Sequence, residues 1–195
     1  MKRPGLLIGL GIVVVLFFIG CNGYNSLVGV DNTVNQKWSN VETNYQRRTD
    51  LYSSVVKTIE GSANFEKSTL REVLQARAKA TSVTVNTSDP ASMEAYQQAQ
   101  AQLQGSFSKL LAVVENYPDL KTTTQFRDFQ TQIEGTENRI NVARQDYNAA
   151  VTDYNLRVRR FPSNIFAGIF GFKQKAFYKA DVGSSSPPAI DFNIK

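Results

Sequence analysis

Histidine is absent from the 195 residues, and cysteine occurs once, as Cys21. Without an imidazole the chain cannot build a Ser-His-Asp triad, a Cys-His pair or a His-ligated zinc site. One thiol cannot close an internal disulfide or cage a metal by itself. The sequence also lacks a Gly-rich phosphate loop and a nucleophile elbow. It has no sustained apolar/polar alternation of the strand type. What remains to be read is charge and periodicity. Lys and Arg total 22 against 17 Asp and Glu, a formal net charge of +5. That excess is local: Lys2 and Arg3 precede an apolar run, and residues 31–156 hold 13 bases against 15 acids. Residues 157–180 carry six bases and no acid, and the last stretch, with Asp181, Asp191 and Lys195, is net −1. A slightly acidic body with basic patches does not suit nucleic acid, which calls for Lys and Arg spread along a face with exposed aromatics.

From Pro4 to Val30 there is no charge, and Leu6 to Ile19 is apolar apart from two glycines. A bilayer-spanning helix needs about 20 mostly apolar residues, which Gly5 to Tyr24 supplies if Cys21, Asn22 and Gly23 lie in the far interface. Lys2 and Arg3 would then stay in the cytoplasm, with everything after Tyr24 on the outer side. The same residues also fit a signal peptide. Phe18-Ile19-Gly20-Cys21 resembles a lipobox, with Phe where Leu is usual, and Cys21 is the candidate lipid-attachment residue. Both readings tether the same domain to the same face of a bacterial cell membrane, as a single-pass or a lipid-anchored protein.

Beyond the anchor the apolar period is 3.5 to 3.6. Val30, Val34, Trp38, Val41, Tyr45, Tyr52, Val55 and Ile59 predict one long helix from about Asn25 to Glu60, interrupted in its stripe by Arg48 and ended by Gly61. A second helix is expected over about Ser62 to Val83, with Phe65, Leu70, Val73, Leu74, Ala80 and Val83 on one side. A third begins at Ser88 or Asp89 as N-cap with Pro90 in its first turn. Its stripe is Met93, Tyr96, Gln100, Leu103, Phe107, Leu110 and Val114. Tyr117-Pro118-Asp119-Leu120 reads as a turn. The fourth helix runs from about Thr123 to Arg160 in heptad-like register, and Phe161-Pro162 stops it.

Long amphipathic helices with short connections pack antiparallel to their neighbours. The expected fold is therefore all-α: an N-terminal anchor (1–24), then an antiparallel up-down-up-down four-helix bundle (25–160) with two long and two shorter helices. A membrane-proximal apolar and basic segment (161–180) and a disordered tail (181–195) follow. In that topology the fourth helix returns to the bilayer. Ile165, Phe166, Ile169, Phe170, Phe172, Lys173, Lys175 and Lys179 are thus candidates for membrane contact. The alternative, compatible with it, is that Ile165 to Phe172 packs on the first helix and closes the bundle.

A charge in an apolar stripe needs a partner. Arg47 or Arg48 is expected to pair with a carboxylate such as Glu137 across the bundle, with Arg144 close to the stripe of the fourth helix. This is either a register-fixing pair or a polar ligand site. Glu134 and Glu137 share a helix face, but di-iron bundles need Glu-x-x-His, and there is no His. No metal, cofactor or catalytic residue is expected. The pairs Tyr24-Asn25, Tyr147-Asn148 and Tyr154-Asn155 read as interhelical hydrogen-bond anchors.

Several segments in order carry a resemblance. They include Tyr24-Asn25-Ser26-Leu27-Val28, Gln46-Arg47-Arg48-Thr49-Asp50-Leu51, Glu115-Asn116-Tyr117-Pro118-Asp119-Leu120, Thr136-Glu137-Asn138-Arg139-Ile140, Ala143-Arg144-Gln145-Asp146-Tyr147-Asn148 and Phe161-Pro162-Ser163-Asn164. Together they resemble the LemA family of bacterial membrane proteins over residues 24 to about 178. The usual Ile-Pro-Asn-Leu-Val after Asp-Leu is replaced here by Tyr52-Ser53-Ser54-Val55-Val56. The resemblance implies a membrane anchor, a helical bundle and no established enzymatic activity. Some of the family look like proteins of the magnetosome membrane, which suggests a membrane-organising role. The expectation is a non-enzymatic, membrane-anchored scaffold or interaction module whose partners are the membrane and envelope proteins, with homo-oligomerisation open. The alternatives are a ligand-sensing extracytoplasmic bundle and, last, a carboxylate/Arg-based enzyme. A sensor would need a second span, and no second run of 18 apolar residues occurs.

Overall fold

The computed structural model describes residues 4–60, 67–121 and 123–179. They form six helices and, among the described residues, no strand: α1 (Pro4–Glu60), α2 (Lys67–Ser82), α3 (Pro90–Val114), α4 (Pro118–Lys121), α5 (Thr124–Arg159) and α6 (Ser163–Phe170). An extended strap, residues 172–179, follows α6.

The first helix is longer than the periodicity alone predicts. It does not restart at Asn25 but runs unbroken for 57 residues, about 85 Å at 1.5 Å per residue. No proline lies between Pro4 and Glu60 to interrupt it. Among the described residues no helix is long and apolar enough to cross a membrane. Most side chains before Gly20, on which the expected anchor rests, lie outside the described set. So do Gly61, Phe65 and the expected tail. Leu27, Val34, Trp38, Val41, Tyr45, Tyr52, Val55 and Ile59 are buried along one face of α1.

In α2 the buried side chains are Leu70, Val73, Ala76 and Ala80, and Leu74 is exposed instead of packed, being one position off that stripe. Asp89 caps α3, its carboxylate accepting the Ala91 N–H at 3.0 Å, and Pro90 occupies the first turn, where its missing N–H costs nothing. All seven stripe positions of α3 are buried. The expected turn at Tyr117–Leu120 is the short helix α4, since the fixed φ of Pro118 suits a first helical position. Thr123 caps α5 by accepting the Phe126 N–H at 3.3 Å. Gly171, at φ 75°, ends α6 in the left-handed region that only glycine enters freely.

Pairwise contacts give the helix directions. Lys37 meets Asp146 at 2.7 Å and Arg48 meets Glu137, so α1 and α5 are antiparallel. Lys79 bonds Gln102 and Lys109 pairs with Glu72, so α2 and α3 are antiparallel. Tyr45 packs on Tyr96 and Tyr52 stacks on Phe107, so α1 and α3 run the same way. The core divides into two clusters. One gathers Tyr52, Val55, Ile59, Leu70, Val73, Leu103 and Phe107; the other gathers Val34, Trp38, Tyr45, Met93, Ile140 and Tyr154. On α1, Arg48 lies midway between Tyr45 of one cluster and Tyr52 of the other.

Candidate functional site

Three polar features stand out against this apolar frame. The first is the layer around Arg48, which has no exposed surface. Its Nη2 donates to the Gln100 Oε1 at 2.8 Å and to the Gln100 carbonyl at 3.2 Å, and Nη1 donates to the Glu137 Oε1 at 3.4 Å. The guanidinium also sits over the rings of Tyr45 and Tyr52, 4.6 and 5.8 Å from their centroids. A planar, delocalised cation can stack between aromatics while its edge bonds outward, which a lysine cannot do. Its Nε, like the Nε1 of Trp38, has no hydrogen-bond partner among the described residues. Glu137, whose side chain is 27% exposed, also accepts from the Tyr52 hydroxyl at 3.5 Å. Burial pushes the Tyr52 phenol well above its ordinary range, Arg48 opposing and Glu137 reinforcing the shift. Arg47, one residue away, faces solvent and takes no part, and Glu134 is exposed.

The second feature surrounds Arg144. Its Nε donates to the Tyr45 hydroxyl at 2.9 Å, Nη2 bonds the same oxygen, and the guanidinium lies 4.5 Å from the ring centroid of Tyr178. The hydroxyls of Tyr45 and Tyr178 are 2.5 Å apart. Tyr178 belongs to the strap, so Arg144 joins α5, α1 and the strap.

The third feature is the grip on the strap. The Tyr147 hydroxyl donates to the Ala176 carbonyl and the Tyr154 hydroxyl to the Lys173 carbonyl. Asn148 brackets the backbone of Tyr178, donating to its carbonyl and accepting its N–H, and Asn155 brackets Lys175 in the same way. The two Tyr-Asn pairs are seven residues apart on α5, about 10.5 Å, and their targets are three residues apart on an extended chain, about 10 Å. That match of rises lets one side-chain pattern be used twice. The pairs thus bond an extended segment instead of a neighbouring helix, and Tyr24 does neither, packing on Phe170 and Phe172 at 4.8 and 5.9 Å. Nothing in the apolar period marks a strap; the repeated Tyr-Asn was the one sequence signal for it.

Lys175 is only 7% exposed. Its Nζ pairs with Asp31 at 3.0 Å and donates to Asn35 and Thr87 at 3.0 and 3.1 Å. The Ala176 N–H donates to the Thr87 carbonyl, so the strap also holds the connection between α2 and α3. Burial, with a smaller contribution from Asp31, pushes the Tyr154 phenol up to about 12.

These positions divide the expected membrane-contact residues into paired and exposed ones. Lys175 is committed to a buried ion pair, and Lys179 pairs with Glu94 at 3.6 Å beside Tyr45. Tyr45 is 21 residues beyond Tyr24 on α1, about 30 Å along the axis. The strap therefore leads its last lysines away from the end that carries α6. Ile165, Ile169, Phe170 and Lys173 are exposed, Phe172 is half-buried beside Tyr24, and Phe166 is half-buried against Gly20 and Gly23. Cys21 is exposed beside Tyr24 in a shallow groove between α1 and α6 that Phe166, Ile169 and Phe170 also line.

Among the described residues no group of three or more Cys, Asp or Glu could hold a metal ion. The arrangement ties α1, α3, α5 and the strap together. Comparison with known proteins agrees with the residue pattern. The model of the LemA family matches residues 37–192. Magnetosome protein MamQ 2 of Paramagnetospirillum magneticum is 26% identical over 183 residues, covering 84% of this chain and 67% of the relative. Protein LemA of Metamycoplasma hominis is 24% identical over 166 residues, covering 85% of this chain and 73% of the relative. Magnetosome protein MamQ of Magnetospirillum gryphiswaldense is 23% identical over 183 residues, with coverage of 84% and 67%. With a family match that takes in α1 from Lys37 onward, α5 and the strap, the chain belongs to the LemA family.

Proposed function

We propose that this chain is a non-enzymatic, membrane-tethered protein of the bacterial cell envelope. In this reading its long helices form an up-down-up-down four-helix bundle on the extracytoplasmic side, and the bundle serves as a scaffold for membrane or envelope proteins. The observation that carries it is the continuity of α1. The apolar N-terminal segment and the first helix of the body are one continuous helix from Pro4 to Glu60. A scaffold that must hold partners at a set height above a bilayer needs such a stem. The antiparallel α1/α5 and α2/α3 pairs, with α1 and α3 codirectional, support the bundle order. Of the two anchors the uncleaved span is the one taken here, because Phe18 stands where a lipobox usually has Leu. The magnetosome names of several relatives are consistent with a membrane-organising role.

Affinity purification of the full chain from detergent-solubilised membranes tests the scaffold. Reproducible recovery of a defined set of envelope proteins is expected, and recovery of none counts against it. Mass spectrometry of the mature protein tests the anchor. An intact N-terminus with unmodified Cys21 is expected, whereas a diacylglycerol-modified Cys21 at a new N-terminus replaces the span with a lipid anchor.

A further inference from the structure

The helix α6 is short, apolar and half-uncovered. One side is fixed on α1: Ala167 is buried, and Phe166 lies so close to Gly23 that a Cβ there would come within 2.7 Å of its ring. Gly20 lies 3.5 Å from the same ring by the same measure, and Tyr24 packs on Phe170. The contact fixes α6 at the level of residues 20–24 of α1, where the apolar run from Leu6 to Ile19 ends. The other side is largely uncovered by the described residues: Ile165 is 50% exposed and Ile169 70%, with Phe161 just before α6 at 75%, and Phe170, although it touches Tyr24, is still 53% exposed. Phe18 on α1, 61% exposed, continues this surface toward the N-terminus. Exposed bases flank it. Arg159 and Arg160 precede α6 and Lys173 follows it, and none of the three makes an ion pair with another described residue. The nearest acid before them, Asp153, is paired with Arg157. No acid occurs between Asp153 and Asp181.

We propose that α6 is an interfacial helix seated on an anionic phospholipid bilayer. Ile165, Ile169, Phe170 and Phe161 enter the boundary between headgroups and acyl chains, and Arg159, Arg160 and Lys173 meet the lipid phosphates. Two observations select lipid over a protein occupant. The apolar side is continuous with the uncharged stretch of α1, so a bilayer that holds that stretch meets α6 at the same depth. The bases also lie to either side of the apolar helix, as a surface with apolar depth and anionic rim requires. α6 would thus act as a collar that sets the height and tilt of the α1 rod. The proposal rests on the membrane-tethered reading and is tested separately from it.

The full chain is placed in vesicles of phosphatidylglycerol and phosphatidylethanolamine, with ordinary or brominated acyl chains. Trp38 is buried and about 20 Å along α1 from Tyr24, so the unaltered chain supplies a background that lipid bromine does not reach. In Ile169→Trp the added emission should shift to the blue and be mostly lost in brominated lipid. Phe161→Trp, at an equally exposed position, should behave alike and guards against a folding defect in either variant. Replacing Arg159, Arg160 and Lys173 with Gln in the Ile169→Trp chain should restore much of that emission. So should moving the chain to phosphatidylcholine vesicles. If the chain floats with the vesicles but neither added tryptophan is quenched, the collar is wrong and the tether survives. If quenching is equal in anionic and neutral lipid, the role of the bases is wrong. A chain that does not float with vesicles at all overturns both readings.

Discussion

Arg48 is the side chain whose removal should cost the most stability. Its truncation leaves a cavity between two aromatic rings and strips the side-chain oxygen of Gln100 of its donor. Breaking a buried polar arrangement by deleting one partner typically costs about 3–5 kcal/mol. Urea unfolding of Arg48→Ala should show a loss in that range, and a loss under about 1 kcal/mol would contradict the role assigned to this layer. Arg48→Lys should recover little, because an ammonium cannot stack between Tyr45 and Tyr52 and fork to two acceptors. Glu137→Gln should cost only about 1 kcal/mol, since Glu137 is partly solvated and its bond to Arg48 is long at 3.4 Å. That an arginine interrupts the stripe of α1 is plain in the sequence. That it is Arg48 and not Arg47 which meets Glu137 follows from which of two adjacent residues the helix turns inward. The role of Gln100, an uncharged member of an otherwise apolar stripe, becomes clear only once α3 lies alongside.

The helix–helix and helix–strap contacts make their own demands. Glycine in a helix interior costs about 1 kcal/mol relative to alanine unless a neighbour needs the space. A Cβ on Gly135 or Gly105 would meet nothing within 4 Å, whereas one on Gly23 would strike Phe166. Gly135→Ala should therefore stabilise the chain by about 0.5–1 kcal/mol in denaturant unfolding. Gly23→Ala should fall at least about 1 kcal/mol short of that gain, because α6 must shift. Equal gains at both sites would mean that α6 does not press on α1. The strap is tested by hydrogen exchange. Asn155→Ala should abolish protection of the Lys175 amide, and Asn148→Ala that of the Tyr178 amide, while the amides of α3 keep theirs. The lengths, caps and inward faces of α3 and α5 were legible from period and capping residues, because these depend on residues within a few positions of one another. The continuity of α1, the helical form of Pro118–Lys121 and the path of the strap were not, since each depends on what packs against it.

For the molecule as a whole, the two clusters share a vulnerability to alkali. The phenols of Tyr52, Tyr96 and Tyr147 lie well above their ordinary value of 10.0, chiefly through burial, and that of Tyr154 is pushed up to about 12. Raised values in the folded state mean that between about pH 10 and 12 the native chain holds protons that the unfolded chain has released. Stability contributed by these neutral phenols is intact below about pH 10 and falls progressively above it, up to about pH 12 for Tyr154 and beyond that for the other three. Helix content by circular dichroism should therefore fall together with the appearance of phenolate absorbance. Phenolate formation completed with helix content unchanged would contradict the burial of these rings. Because Tyr52 on α1 belongs to one cluster and Tyr96 on α3 with Tyr147 and Tyr154 on α5 to the other, and α1 runs through both, the loss should be a single cooperative transition.

By itself the sequence determined the all-helical class, the inward faces of α1, α3 and α5, the two basic patches and the exclusion of histidine chemistry. All of these follow from composition and from a local period of 3.6. The tertiary structure decided how the second basic patch is divided. Lys175 is drawn into a pair with Asp31, Lys179 reaches Glu94, and Arg159, Arg160 and Lys173 are left beside α6. The physical reason is that a side chain's burial depends on partners more than a hundred residues away. Asp31 lies on α1 and Lys175 on the strap, and only the folded chain brings them within 3.0 Å.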